Sequence, residues 1–234
     1  MPIPKHIYQS WHTKTLHPNI EKNILNTLKE NNPEYTHEIY TDEEIDRFVQ
    51  ENYDGEILEC YNKLNIIVAK VDFWRYLILY KKGGIYLDID SCINKSIDSF
   101  ITDDDDAYIT REGNKLFYVQ WALFFSKEHP ILKKTIELVV DNIKNNRYPH
   151  DIHKMTGPTV FTRAINMVSN GKDIVSNCTF YGNKDGTYET EGKKYRISGK
   201  DFNGNLSFLH RFWKLSRGGK EHWVEQQKKK PILK

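Results

Sequence analysis

The stretch IIVAKVDFWRYLILYKKGGIYLDID, residues 66–90, constrains the fold more than any other part of the chain. Its first two thirds are apolar on nearly every side, which predicts a helix with little solvent face. Lys81 and Lys82 suit the last turn of that helix, and Gly83 or Gly84 can end it. IYLDID then reads as a buried strand, apolar until its last residues. Together with the alternation of strands and helices elsewhere, this predicts an α/β sheet covered by helices.

Charge is out of place in such surroundings, yet Asp72, Arg75, Asp88 and Asp90 all lie there. Strand alternation places Asp88 and Asp90 on one face, where two carboxylates repel unless something positive lies between them. Hard cations such as Mg²⁺ or Mn²⁺ take carboxylate oxygens, and two aspartates suit an ion that arrives with a diphosphate. Alone, D-x-D is short and equally describes a strand end with two solvated acids. Ligands of helix-covered sheets bind at the carboxyl ends of strands, which is where this pair falls. Asp72 and Arg75, at i and i+3, have the spacing of an ordinary helix ion pair worth ~0.2–0.5 kcal/mol. Phe73, Trp74, Leu77 and Ile78 leave them little water, and charges so placed usually have a purpose or a partner.

KHIYQSW, after two prolines, reads as the first strand, NIEKNILNTLKENN as a helix and HEIY as a short strand. Thr41 and Glu44 have capping-box spacing at the head of a helix carrying Ile45, Phe48 and Val49, and GEILECYNKL reads as a second short helix. TDDDDA is a turn into the strand AYIT, and its four acids, 103–106, read as a solvated loop. YVQWALFFS reads as a strand, HPILKKTIELVVDNIKNN as a helix with Pro130 at its start, and TGPTVFTRAINMVSNG as a loop feeding a helix. The last third is less regular, with strand-like pieces IVSNCTFYG and LSFLHRFW. No repeat or long linker divides the 234 residues, and a single domain is expected.

A net charge of +2 argues against a dedicated nucleic-acid binder. The basic excess is local: KKKPIL near the C-terminus reads as a solvated, frayed tail with at most weak contact to an anionic membrane surface. Cys60, Cys92 and Cys178 show neither zinc spacing nor a disulfide framework. The N-terminal residues lack a signal-peptide core, and Lys70, Asp72 and Arg75 interrupt the longest apolar run. These features point to a cytoplasmic protein. N-x-S/T sequons begin at Asn94, Asn177 and Asn205, and a glycan on Asn94 would sit beside the acid pair.

DFWRYLILYKKGGIYLDID resembles the core signature of the family 32 glycosyltransferases that carry a D-x-D sugar-binding motif, relatives of yeast mannosyltransferases, capsular sugar transferases and clostridial glucosylating toxins. That signature is D-x-x-R, an apolar turn, Gly-Gly, then I-Y-x-D-x-D. IPKHIYQSW, TGPTVFTRAI and FLHRFWKLS resemble the family's opening strand, its Gly-Pro helix entry and its C-terminal His and Trp segment. The resemblance implies an α/β, GT-A-type, Rossmann-like fold with a central mixed sheet flanked by helices. It would cover residues 1–234 as one domain, with a nucleotide-sugar core in 1–125 and an acceptor-side, closing region in 126–234. It implies retaining transfer from a UDP- or GDP-linked sugar to a glycan, lipid-linked sugar or protein hydroxyl, with Mn²⁺ or Mg²⁺ as cofactor. Asp90 would bind the metal, and Asp88 would contact ribose and sugar or bind the metal through water. Asp72 and Arg75 would hold donor-sugar hydroxyls, Arg75 also near the diphosphate. Tyr86 would line the nucleotide pocket and Trp11 would stack on the base. His210 and Trp213 would close over the diphosphate, with His210 also a candidate metal ligand. Asp72, Arg75 and Asp88 are the catalytic candidates.

Read from the residues alone, Tyr86 shares a strand face with Asp88 and suits a pocket or a packed core, and Trp11 and His210 also suit a core. Where many relatives have Asn-Ala, this chain has Trp121-Ala122, which puts a donor or acceptor contact in question. A D-x-D phosphohydrolase fits poorly, because its motif belongs on the first strand. A non-catalytic nucleotide-sugar or glycan-binding module is the second reading. The intact D-x-x-R and D-x-D argue against it, and Trp121 and the short C-terminal region argue for it.

Overall fold

The computed structural model describes residues 2–22, 27–93, 95–112, 116–170, 185–198, 206–208 and 222–234. In chain order the strands are β1 His6–Ser10, β2 Thr36–Tyr40, β3 Gly84–Leu87, β4 Ser91–Ile93, β5 Ala107–Thr110, β6 Ala122–Phe125, β7 Gly186–Thr190, β8 Lys193–Ser198 and β9 Leu206–Phe208. The helices are α1 Pro18–Ile20, α2 Thr27–Asn31, α3 Asp42–Asn52, α4 Gly55–Lys63, α5 Ile67–Lys82, α6 Pro130–Lys144, α7 Ile152–Met155, α8 Pro158–Asn170 and α9 Trp223–Lys229. Seven strands form one open sheet in the order β2-β1-β3-β6-β5-β8-β7. β1 runs parallel to both β2 and β3, β6 is antiparallel to β3 and β5, and β8 is parallel to β5 and antiparallel to β7. A separate antiparallel pair joins β4 to β9. This is the mixed, helix-flanked, GT-A or Rossmann-like sheet that the resemblance implies.

The apolar helix is α5, and every residue from Asp72 to Leu79 is buried, as its sequence predicts. Packed against it are α3, α6 and α7, which bring the residues of the main core over one side of the sheet. Gly83 caps α5 with φ +68°, donating its N–H to the Leu79 carbonyl at 2.8 Å. Gly84 follows at φ +109°, and a Cβ there would lie 2.7 Å from the His6 carbonyl oxygen of β1. Only glycine combines this backbone with so close a strand neighbour. The pair therefore turns α5 directly into β3. The capping box at Thr41 and Glu44 is formed, and Pro130 opens α6.

Three expectations need correction. β3 ends at Leu87, so Asp88 and Asp90 stand on a turn rather than on one strand face. The turn is closed by Ser91 N–H donating to the Asp88 carbonyl at 2.9 Å. The segment 19–32 is helical on both sides of residues 23–26, which lie outside the description. Within 103–106, Asp105 is buried. It accepts from Thr102 N–H at 2.9 Å and pairs with Arg196 of β8 at 2.7 Å, because its turn lies against the sheet. The C-terminal residues are docked rather than frayed. Asn65 N–H donates to the Ile232 carbonyl at 2.7 Å, Ile232 N–H donates to Pro149 at 2.9 Å, and the Ile232 side chain is fully buried. Lys228 pairs with Glu225 and Lys230 donates to the Asn65 carbonyl. The IVSNCTFYG piece and the three sequon asparagines lie outside the described residues. No helix among the described residues is long and apolar enough to cross a membrane.

The two glycine environments predict unequal costs. Gly84→Ala should lose at least about 2 kcal/mol in urea unfolding, since its Cβ meets backbone. Gly55→Ala, at φ +51° but with nothing within 4 Å, should lose only about 1 kcal/mol. Equal losses would show that the close approach of β3 to β1 does not matter.

Candidate active site

One turn of α5 carries Asp72 and Arg75 towards the carboxyl end of β3. Both are buried, with side-chain exposures of 6%, whereas Asp88 is 30% exposed and marks where the group meets solvent. Arg75 Nη2 lies 3.1 Å from Asp72 Oδ1 and 3.3 Å from Asp88 Oδ1. Its Nη1 donates to the Gln120 carbonyl at 3.1 Å. The guanidinium carbon sits 4.4 Å from the centroid of the Tyr86 ring. A planar fork can serve two carboxylates, a carbonyl and a ring face together, and an ammonium cannot. The Nε hydrogen of Arg75 is buried and meets no acceptor among the described residues. An unmet buried donor costs about 1–3 kcal/mol, which makes this hydrogen a candidate partner for a water or ligand oxygen.

The other groups fix this centre. Tyr86 is buried, as a packed tyrosine would be, and its hydroxyl donates to Asp88 Oδ1 at 2.7 Å, so the ring belongs to both core and site. Thr156, just before α8, donates to Asp72 Oδ2 at 3.1 Å. Gln9 at the end of β1 donates to the Asp88 carbonyl at 3.2 Å. Ser10 Oγ lies 3.5 Å from the Tyr86 hydroxyl. Trp11 is half-buried just past β1, packed with Ile89 between the two motif aspartates, together with Leu16 and Ile20. Trp121 gives its carbonyl to Asp88 N–H at 2.8 Å, while its ring packs on the cluster containing Ile85 and Leu87. His210 and Trp213 lie outside the described residues.

Gln9, Ser10, Gln120 and Thr156 are the residues at this centre that the motif pattern does not single out. Gln9 and Ser10 are the polar residues at the end of an otherwise readable strand, and Thr156 opens the TGP segment. Gln120 carries no local signal beyond its neighbour Trp121.

Burial raises the Asp72 carboxyl to about 6, with Asp88 adding to the rise and Arg75 and Thr156 opposing it. Burial also works against the charge on Arg75, but Tyr86, Asp88 and Asp72 outweigh it and hold the guanidinium protonated. When Asp72, Asp88 and Asp90 are all ionised, carboxylates outnumber the guanidinium by two charges. That excess and the all-oxygen donor set of Asp88 and Asp90 fit a hard divalent cation. No cluster of three or more His, Cys, Asp or Glu able to hold a metal occurs among the described residues. Among the described residues such an ion would find only Asp88 and Asp90, and its remaining ligands would come from substrate, water or residues outside the description.

Because the Asp72 carboxyl is raised to about 6 on folding, the folded chain binds this proton more tightly than the unfolded chain. The resulting stability is complete below about pH 4 and is lost as pH rises through about 6. Asp72→Asn lacks this loss. Its stability relative to the unaltered chain should therefore rise by up to about 3 kcal/mol between pH 4 and 7 in denaturant titrations. A difference independent of pH would contradict the assignment.

The chain is similar to several known proteins. Residues 18–107 match the glycosyltransferase sugar-binding region containing a DXD motif. The chain is 24% identical over 202 residues to the initiation-specific alpha-1,6-mannosyltransferase of Candida albicans, covering 70% of this chain and 52% of that protein. It is 29% identical to inositol phosphoceramide mannosyltransferase 3 of Schizosaccharomyces pombe, covering 67% of this chain and 43% of that protein. The chain thus spans about half or less of each of these relatives. The solved structure of the PaToxG glycosyltransferase shares the fold, with a TM-score of 0.57 at 23% identity over 71% of this chain and 69% of that one. By its motif and these partial matches, the chain is similar to the DXD-motif glycosyltransferases, with the family match confined to residues 18–107 and yeast mannosyltransferases among the relatives.

Proposed function

We propose that this chain transfers a sugar, with retention of anomeric configuration, from a UDP- or GDP-linked donor to a hydroxyl acceptor, and that it requires a divalent cation. The observation that carries this reading is the Arg75 guanidinium held between Asp72 and Asp88 with its Nε–H unmet. Breaking the anomeric C–O bond puts negative charge on the departing diphosphate. A bound Mn²⁺ or Mg²⁺ would supply Lewis-acid stabilisation of that charge. Asp88 and Asp90 are the residues that would hold the ion, with His210 a further candidate. Arg75 presents a permanent positive charge and a free donor to an oxygen of the donor, already oriented before substrate arrives. Asp72, when ionised, accepts from sugar hydroxyls. Inverting transfer would need a carboxylate base beside the acceptor hydroxyl. Front-face retention needs none there, and Asp72 and Arg75 then act by holding the sugar.

Tyr86 and Trp11 would line the nucleotide side, and His210 and Trp213 would close over the diphosphate. Residues 1–125 would carry most donor contacts and 126–234 the acceptor side. The hydrogen bond from Thr156 to Asp72 supports a contribution of the second region to the donor side. The mannosyltransferases among the relatives favour mannose as the sugar. A glycan, a lipid-linked sugar or a protein side chain could offer the acceptor hydroxyl, and the inositol phosphoceramide enzyme favours weighing lipids alongside glycans.

A panel of nucleotide-sugars with Mn²⁺ present or chelated tests the proposal by melting temperature and nucleotide release. A donor at 100 times its Kd should stabilise the fold by about 2.7 kcal/mol. Release should require the metal and be lost in Asp90→Asn. Binding without release, even with acceptors added, would favour a binding module. No metal-dependent response to any donor would overturn the assignment.

A further inference from the structure

Gln9 is fully buried near the end of β1, and its side-chain amide is engaged at both ends. Nε2 donates to the Asp88 carbonyl at 3.2 Å, and Oε1 lies 2.7 Å from His37 Nε2 on the neighbouring edge strand β2. Chemistry fixes the direction of this chain. A backbone carbonyl only accepts, so the amide's donating end must face Asp88. Its oxygen then faces His37, and that imidazole must carry its proton on Nε2. Burial, with Lys29 and His6 nearby, lowers the His37 imidazole to about 4, so the ring is neutral near pH 7 and is a single tautomer. The Asp88 carbonyl also accepts Ser91 N–H at 2.9 Å, the bond that closes the turn carrying both motif aspartates. Two donors therefore meet on one carbonyl. One comes from the turn itself, and the other is held from outside it.

We propose that His37 and Gln9 are positioning residues that clamp the Asp88–Ser91 turn and so set the direction of the Asp88 and Asp90 carboxylates. Neither residue is assigned contact with donor or metal. The role rests in part on the transferase reading, because the turn's value lies in presenting those carboxylates. Histidine here acts through the fixed donor on Nε2, which a glutamine can imitate in reach and which a phenylalanine cannot.

The test compares His37→Phe, Gln9→Met and His37→Gln with the unaltered chain. The first readout needs no activity: amide hydrogen exchange at Ser91. Protection there should fall at least tenfold in His37→Phe and Gln9→Met and return in His37→Gln, while protection across α5 stays unchanged. The second readout is kcat/KM for the donor that the panel identifies. It should fall about 10- to 100-fold in the first two variants, the range seen when outer partners of a metal site are removed. His37→Gln should recover to within about threefold. Unchanged Ser91 protection in His37→Phe, or a His37→Gln variant as impaired as His37→Phe, would overturn the clamp. Should no donor turn over, the transferase reading fails, yet the exchange result still decides whether the clamp exists. Nitrogen-15 NMR gives a third check: His37 should show the Nε2–H tautomer in the unaltered chain, and an Nδ1–H tautomer would overturn the clamp.

Discussion

A single guanidinium, Arg75, shared between two carboxylates at the edge of a buried core, is the interaction on which the rest of this structure depends. Charges in an interior are costly unless every one is met, and removal of one partner is far worse than never having had the pair. The chain meets the cost with neighbours drawn from distant segments. Tyr86 serves both Arg75 and Asp88, Thr156 serves Asp72, and the Gln120 carbonyl takes a further Arg75 hydrogen. The raised Asp72 carboxyl shows that this compensation is incomplete. A surplus of negative charge, when all three aspartates are ionised, and the unmet Arg75 Nε donor remain at this centre, and they fit a hard cation and an oxygen ligand.

That arrangement explains features that otherwise look like ordinary fold construction. α5 must be apolar almost all round because α3, α6 and α7 pack on it, and its two site charges are admitted only where β3 ends. Gly83 and Gly84 bring β3 back beside β1 at a distance no side chain allows, so that Tyr86 lies over Arg75. The docked C-terminus contributes from the other side. Gln227 of α9 accepts from Ile152 N–H at 3.0 Å, steadying the short α7 that leads to Thr156.

The sequence announces the parts of the site that lie close together in the chain. Asp72, Arg75, Tyr86, Asp88 and Asp90 fall within nineteen positions, with periodicity and glycines that place them on a helix and a strand end. Gln9, Gln120 and Thr156 reach the same atoms through sheet pairing and helix docking, which local pattern does not encode. Strand periodicity put the two motif acids on one pleat face because nothing in IYLDID marks Leu87 as the last paired residue. Its end is decided by β6, whose strand begins only at Ala122, leaving the Trp121 carbonyl to receive Asp88 N–H. Likewise, Asp105 looks solvated among four acids until β8 delivers Arg196.

Arg75→Lys tests the central claim most directly, because it keeps the positive charge and removes the planar fork. A lysine cannot serve Asp72, Asp88 and the Gln120 carbonyl together. Single-turnover cleavage of the bound donor should fall at least 100-fold, with the α5 amides still protected from exchange. Cleavage at the unaltered rate in a folded Arg75→Lys protein would show that charge alone suffices and that the shared guanidinium is not the organising element.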